Sequence, residues 1–169
     1  VLTGIHVASY GRGTDKNLAS LLKKLSEIES IEIIRTSSIG PLAFTDEFID
    51  TVASLPKVCP HFHLSLQSGC DATLKRMNRH YTAEEYEKIC NKLRESFTDC
   101  TITTDIMVGF PTETEEDFED TMDMVRKVRY SNAFTFIYSP RKGTPAAKME
   151  QIPYEIKKRR IGELIKLQN

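Results

Sequence analysis

The sequence contains no tryptophan and only four cysteines in 169 residues, at positions 59, 70, 90 and 100. No two of them have C-x-x-C spacing and none lies near a histidine in a zinc-ligand pattern, so neither a zinc site nor a dithiol redox motif is expected. Cys90 falls on the apolar face of a helical pattern and reads as a small core residue. Reduced, structural thiols in a cytoplasmic protein are the expectation. No stretch approaches the roughly 18 apolar residues of a membrane span, and no basic-plus-apolar leader is present, so no membrane partner is expected. Charge of one sign is also missing: the formal net charge is −1, which withholds the basic footprint of a nucleic-acid-binding domain from the chain as a whole. There is no Gly-x-Ser-x-Gly elbow and no Walker loop, and Gly11-Arg-Gly13 lacks the preceding strand and third glycine of a dinucleotide fingerprint.

What is present is a repeated alternation. Short apolar, β-branched-rich runs occur at residues 1–3 (extending toward Val7), 31–36, 62–66, 101–108 and 133–138, each followed by a segment of helical period. Residues 16–28 put Leu18, Leu21, Leu22, Leu25 and Ile28 on one face, residues 83–97 do so with Tyr86, Ile89, Cys90, Leu93 and Phe97, and residues 115–129 with Phe118, Met122, Val125 and Val128. Start signals agree: Thr82-x-x-Glu85 is a capping box, Thr45 precedes Asp46-Glu47, and Thr114 precedes Glu115-Glu116-Asp117. Acidic residues in a first turn favour the helix dipole, which accounts for these clusters without a catalytic role. The strand starts lie 30–39 residues apart, as repeated βα units with a parallel sheet require. Periodicity does not choose between a barrel and an open sheet. Residues 153–168 read as a charged helix whose Lys157-Lys158-Arg159-Arg160 run is a solvated face, with a nucleic-acid contact as the alternative. The chain opens on Val1 and closes in mid-helical pattern from Ile161 to Asn169, so it reads as a segment of a longer protein.

In parallel α/β folds, function gathers at the carboxyl ends of the strands. Those ends fall at Gly4 to His6, Ser37-Ser38, Gln67-Ser68-Gly69, Gly109-Phe110-Pro111 and Ser139-Pro140-Arg141. Each is small or polar. Turn formation explains any one of them; five together suit a ligand with several hydrogen-bonding groups and an anionic end. Gly109 would let a flat ligand approach the backbone. Arg76 and Arg79 follow the Gln67 strand, and either suits a carboxylate, with surface solvation as the default. Asp105 lies in mid-strand, where it needs a partner or a polar interior. His6 at a strand end is read as structural or solvated, ahead of ligand contact, and Lys142 as exposed.

Five motifs occur in order: LTGIHVASYG (2–11), IRTSSIGPLAFTDEFID (34–50), HLSLQSGCDATLKRMNRHYT (63–82), TTDIMVGFPTETEEDFEDT (103–121) and FTFIYSPRKGTPAAKM (134–149). Together they resemble the radical S-adenosylmethionine methylthiotransferases, enzymes that form 2-methylthio-adenosines in tRNA, over essentially the whole chain. The resemblance implies an α/β fold that is part of a (β/α) TIM-like barrel, the strand 2 to strand 6 portion of a (β/α)6 core. Residues 1–152 would be the partial barrel, and 153–169 a C-terminal helix leading toward an absent RNA-binding domain. It further implies S-adenosylmethionine at the strand ends, with Gly4, Ser37, Gln67, Ser68, Arg79 and Gly109 as its contacts. Arg79 would serve the methionine carboxylate, and the Gly109 strand would lie against the adenine.

The [4Fe–4S] cluster of such enzymes needs a C-x-x-x-C-x-x-C loop, which this chain lacks, so no catalytic or metal-ligating residue is expected within it. The segment alone is expected to be inactive, its parent a tRNA-modifying enzyme. The wording leans toward N6-threonylcarbamoyladenosine as substrate, with N6-isopentenyladenosine as the alternative. A non-catalytic ligand- or RNA-binding barrel without the cluster, and a barrel enzyme using Asp105 and a lysine, also remain open. Nothing in the residues names an electron donor.

Overall fold

The computed structural model describes residues 1–169, which divide into two compact units: Val1–Ser65 with Lys88–Thr103, and Leu66–Glu87 with Thr104–Asn169. No helix is long and apolar enough to cross a membrane.

In the first unit, helix α1 (Leu18–Ser26) starts where the Asn17 side chain accepts from the Ser20 N–H and the Ser20 hydroxyl accepts in return from the Asn17 N–H. This reciprocal cap satisfies two N–H groups that the helix cannot. Leu18 and Leu22 are buried, as the periodicity predicts, while Ile28 at the far end of the pattern is exposed. Helix α2 (Asp46–Ala53) is capped by Thr45 and buries Phe48, Ile49 and Val52. Strand β1 (His61–His63) pairs in parallel with the start of strand β2 (Thr101–Val108), His61 opposite Thr101 and His63 opposite Thr103. Phe62 sits between Phe44 and Phe97, with ring centroids 5.9 and 4.9 Å away in edge-on arrangements.

The runs at 1–3 and 31–36, expected as strands, contribute only isolated parallel bridges, Leu2 with Thr36 and Ile34 with Val58. The reason is local. The Ile31 N–H is held by the Ile28 carbonyl, and the chain beyond Leu2 turns into a 3-10 segment at Val7–Ser9, so neither ladder can lengthen.

In the second unit, β2 carries the alternation of a strand with two different faces: Thr104, Ile106 and Val108 are buried, Asp105 and Met107 half-buried. Strand β3 (Asn132–Ile137) lies beside β2, and just beyond it the Tyr138 N–H donates to the Val108 carbonyl. The 66–83 segment carries the short α3 (Asp71–Arg76) and leads into α4 (Ala83–Ser96), which begins with the Thr82–Glu85 capping box in place. Helix α5 (Glu115–Val128) is started by a reciprocal cap between Thr114 and Asp117 and buries Phe118, Met122, Val125 and Val128, the face read from the sequence. Helix α6 (Tyr154–Gln168) packs on β3 and α5. Its basic run is not the solvated face expected of it. Lys157 and Arg160 are 6% and 3% exposed, because one turn of the helix faces inward against the loop after β2.

Close approach also explains one glycine. A Cβ on Gly69 would stand 2.6 Å from the Asp120 carbonyl oxygen and 2.7 Å from the Thr121 Cα, both backbone atoms of α5. Gly69→Ala is therefore expected to destabilise the fold by about 2 kcal/mol through overpacking. Gly162→Ala, on α6 with open space around it, is expected to stabilise by roughly 0.5–1 kcal/mol through helix propensity. Urea denaturation of both variants checks the opposite signs.

Candidate functional site

The second unit holds an open cavity of about 960 Å³, lined among others by Gln67, Arg79, Asp105, Met107, Phe110 and Phe136. Its wall is built from the residues after β1. The Leu66 N–H is satisfied by the Thr104 hydroxyl at 3.0 Å, and its carbonyl accepts from the Tyr81 hydroxyl at 2.9 Å. Burial pushes the Tyr81 phenol up to about 12, which keeps it a donor. Gln67 then pairs with one edge of β2 through both of its backbone groups: its N–H donates to the Asp105 carbonyl at 2.8 Å and its carbonyl accepts from the Met107 N–H at 2.9 Å. The φ of Gln67 is +69°, a left-handed conformation that a non-glycine residue holds only when its surroundings enforce it. This turns the side chain onto the cavity, where its amide makes no hydrogen bond to protein.

Ser68, expected to face the ligand, faces the protein. It is 2% exposed; its hydroxyl accepts from the Cys70 N–H at 3.2 Å and lies 3.3 Å from the Thr121 hydroxyl, which also accepts from the Gly69 N–H. Its work is to hold the turn into α3.

The two arginines separate cleanly. Arg76 is bound to the Asp117 carboxylate, which also accepts from the Thr73 hydroxyl at 3.1 Å and the Cys70 thiol at 3.3 Å. Burial alone would raise the Asp117 pKa, but Arg76, the Thr114 N–H and Cys70 outweigh it and hold the carboxyl below its usual range. Arg79 follows Asn78, whose φ of +57° ends α3, and its own N–H closes onto the Leu74 carbonyl at 2.9 Å. Its guanidinium is exposed at the cavity and carries no ion pair. Of the two candidates for an anionic group, the structure leaves Arg79.

Gly109 is also employed differently from expectation. Its φ is +72°, and a Cβ there would lie 2.5 Å from the Lys157 Cγ, so the open side of this glycine is covered by a lysine stem rather than offered to a flat ligand. Its N–H, with that of Phe110, donates to the Glu113 carboxylate. Arg160 donates to the Glu113 carbonyl at 3.1 Å and stands 3.6 Å from its carboxylate, and Lys157 Nζ donates to the Tyr138 carbonyl at 3.3 Å. Burial pushes the Glu113 carboxyl up, opposed by Arg160 and the two N–H groups, and burial pushes Lys157 down. Sequence reading missed this buried group. Its one signal was a glutamate four residues after a strand-ending glycine.

The remaining two expected contacts, Gly4 and Ser37, belong to the first unit. They follow the paired residues Leu2 and Thr36; the Ser37 N–H donates to the Leu2 carbonyl, and the Ser37 hydroxyl is buried without a hydrogen-bond partner. His6 contacts Ser9 at 2.5 Å, a local contact in keeping with a structural role. Asp105 lines the cavity of the second unit.

The sequence profile of the radical SAM superfamily matches residues 3–125. The chain belongs to the radical SAM superfamily. Two solved structures share its fold: coproporphyrinogen III oxidase from Escherichia coli, a radical SAM enzyme (TM-score 0.70, 18% identity, 88% of this chain and 35% of that one), and SuiB from Streptococcus suis bound to S-adenosylmethionine (TM-score 0.52, 16% identity, 89% and 32%). The α/β architecture with its parallel pairing is thus part of a β/α barrel, the choice periodicity left open.

Among curated proteins, this radical SAM chain is 51% identical over 169 residues to the tRNA-2-methylthio-N(6)-dimethylallyladenosine synthase of Caldicellulosiruptor saccharolyticus, covering 98% of this chain and 36% of that protein. It is 48% identical over 170 residues to the protein of the same name from Desulforamulus reducens, covering 99% and 37%. The resemblance to methylthiotransferases read from the motifs holds, and the chain spans little more than a third of these relatives' length.

The superfamily uses S-adenosylmethionine and [4Fe–4S] clusters. The residues present fit the first: an unpartnered amide and an unpaired guanidinium border one large cavity. They do not fit the second, since no group of three or more metal-ligating side chains comes together, Cys70 and Cys90 are buried, and burial raises the Cys100 thiol to about 11.

Arg76→Ala is expected to lower stability by about 2 kcal/mol, because it strands a partly buried carboxylate, whereas Arg79→Ala is expected to leave stability within roughly 0.5 kcal/mol. Thermal denaturation distinguishes them. The lowered pKa of Asp117 means that its contribution is present above the ordinary carboxylate value of 3.8 and lost as pH falls through the lower folded value. Asp117→Asn should thus unfold with a shallower pH dependence below that value, as measured by urea titrations across the acid range.

Proposed function

We propose that the protein carrying this chain inserts a methylthio group at C2 of N6-dimethylallyladenosine (N6-isopentenyladenosine) in tRNA, in the cytoplasm. The observation that carries this reading is the identity of about half, over nearly the whole chain, to proteins named for that product. It favours the isopentenyl alternative over the threonylcarbamoyl substrate toward which the motif wording leaned. S-adenosylmethionine would supply the radical chemistry once reduced by one electron, and that electron would have to come from an iron–sulfur cluster that the residues of this chain do not hold.

The chain's own residues bind and orient. Gln67 presents its amide to the cofactor's polar groups, and Arg79 takes the methionyl carboxylate through charge-assisted hydrogen bonds. Met107 and Phe110 give the cavity an apolar wall that excludes water from the reacting atoms. The Glu113–Arg160 pair positions Phe110 by holding the turn in which it sits.

In S-adenosylmethionine titrations of the natural full-length protein, Gln67→Ala and Arg79→Ala are each expected to weaken binding by about tenfold, the loss of one charged or well-oriented hydrogen bond. For the reaction, tRNA nucleosides from a strain lacking the gene are compared by mass spectrometry with those of its parent. Loss of the methylthio form of dimethylallyladenosine alone supports the reading. Loss of the methylthio threonylcarbamoyl form instead would return the substrate to the first expectation, and no loss at all would favour a non-catalytic barrel.

A further inference from the structure

The register of residues 61–67 against β2 changes by one residue. His63 is opposite Thr103, yet Gln67 is opposite Ile106. The Leu64 N–H donates to the Thr103 carbonyl and the Gln67 N–H to the Asp105 carbonyl, so a step of three residues matches a step of two. Leu66 is the extra residue: the Asp105 carbonyl that a regular ladder would give its N–H goes to Gln67 instead. One inserted residue makes a β-bulge, a device that re-aims a side chain beside a site.

The insertion decides where Gln67 points. Its partner Ile106 is buried and outside the cavity lining, whereas Asp105 and Met107 line it. Partners in a ladder share a face, so the slip alone would carry Gln67 away from the cavity. The left-handed φ of +69° returns it. Both departures turn on the backbone of Leu66, which is 0% exposed and whose polar groups are held by side chains alone. The Thr104 hydroxyl accepts from the Leu66 N–H at 3.0 Å and donates at 3.4 Å to the Asp105 carbonyl, the acceptor of the Gln67 N–H. The Tyr81 hydroxyl donates to the Leu66 carbonyl at 2.9 Å. Thr104 and Tyr81 are both buried, and neither lines the cavity.

We infer that Tyr81 and Thr104 are positioning residues for cofactor binding: by clamping the bulge at Leu66 they hold the Gln67 amide on the cavity. They touch no ligand and act through Gln67. The inference rests on the reading of the cavity as the S-adenosylmethionine site.

The test is a set of double-mutant cycles in S-adenosylmethionine titrations of the natural full-length protein, with the fold of each variant checked by circular dichroism. Tyr81→Phe keeps the ring and removes the hydroxyl. Thr104→Val removes the other hydroxyl at nearly constant shape, and Thr104→Ser keeps it. Tyr81→Phe and Thr104→Val are each expected to weaken binding about fivefold, with Thr104→Ser within about twofold of wild type. In a Gln67→Ala background the first two are expected to change binding less than about 1.5-fold, because the group through which they act is gone, whereas in Arg79→Ala they keep their effect. If Thr104→Val fails to fold, the Tyr81→Phe cycle decides alone. Equal effects of Tyr81→Phe with and without Gln67, or no effect of it in a protein that Gln67→Ala weakens, overturns the positioning role and leaves the cofactor site standing. Gln67→Ala that binds as wild type overturns the cofactor site and the positioning role together.

Discussion

The cavity depends on how Gln67 is held. Its N–H and carbonyl are both taken by one edge of β2, at Asp105 and Met107, and this double pairing keeps the residue at a positive φ that costs about 1 kcal/mol or more. The neighbouring backbone groups are satisfied from elsewhere: the Thr104 hydroxyl serves the Leu66 N–H, and the Tyr81 hydroxyl serves its carbonyl. The chain leaves the β1 ladder after His63, rejoins β2 at the single Gln67 bridge and then turns into α3. Three consecutive side chains diverge as a result, Leu66 to the core, Gln67 to the cavity and Ser68 to the base of α5.

A second constraint works behind Phe110 and Tyr138, which line the cavity. Glu113 brings a carboxylate beneath two backbone N–H groups in a buried turn, and that charge is tolerable because Arg160 lies against it. The Lys157 stem fills the space left by the absent Cβ of Gly109, and its ammonium reaches the carbonyl of Tyr138, whose ring packs edge-on against Phe110. The charged helix α6 therefore supports Phe110 and Tyr138, which line the cavity, although none of its own residues does. Arg159, in the same basic run, forms exposed pairs with Glu115 and Glu163, which contribute little by comparison.

How much of this was legible in the sequence follows from the range of each interaction. Helices α1, α4 and α5 could be placed because their apolar period and, for α4 and α5, their caps (Thr82 with Glu85, Thr114 before its acidic run) are local signals, and α6 was read as a charged helix. The runs at 1–3 and 31–36 carried the composition of strands, yet a strand needs a partner ladder, and nothing local announces that a single bridge is all they form. Gln67 was legible as a candidate from its position after an apolar run, but its left-handed φ was not, since no glycine or asparagine marks it. Arg76 and Arg79 were equivalent in sequence and are divided only by Asp117, some forty residues away. Lys157 and Arg160 sat in a run whose charges argue for solvent, and only the buried Glu113 reverses that argument.

The claim on which the rest stands is that the Gln67–Arg79 cavity is the S-adenosylmethionine site. A structure of the natural full-length protein with S-adenosylmethionine bound tests it most directly. The account predicts the cofactor within hydrogen-bond distance of the Gln67 amide, its carboxylate on the Arg79 guanidinium and Arg76 still paired with Asp117. A cofactor seated elsewhere, with Gln67 untouched and Arg79 in solvent, would contradict it.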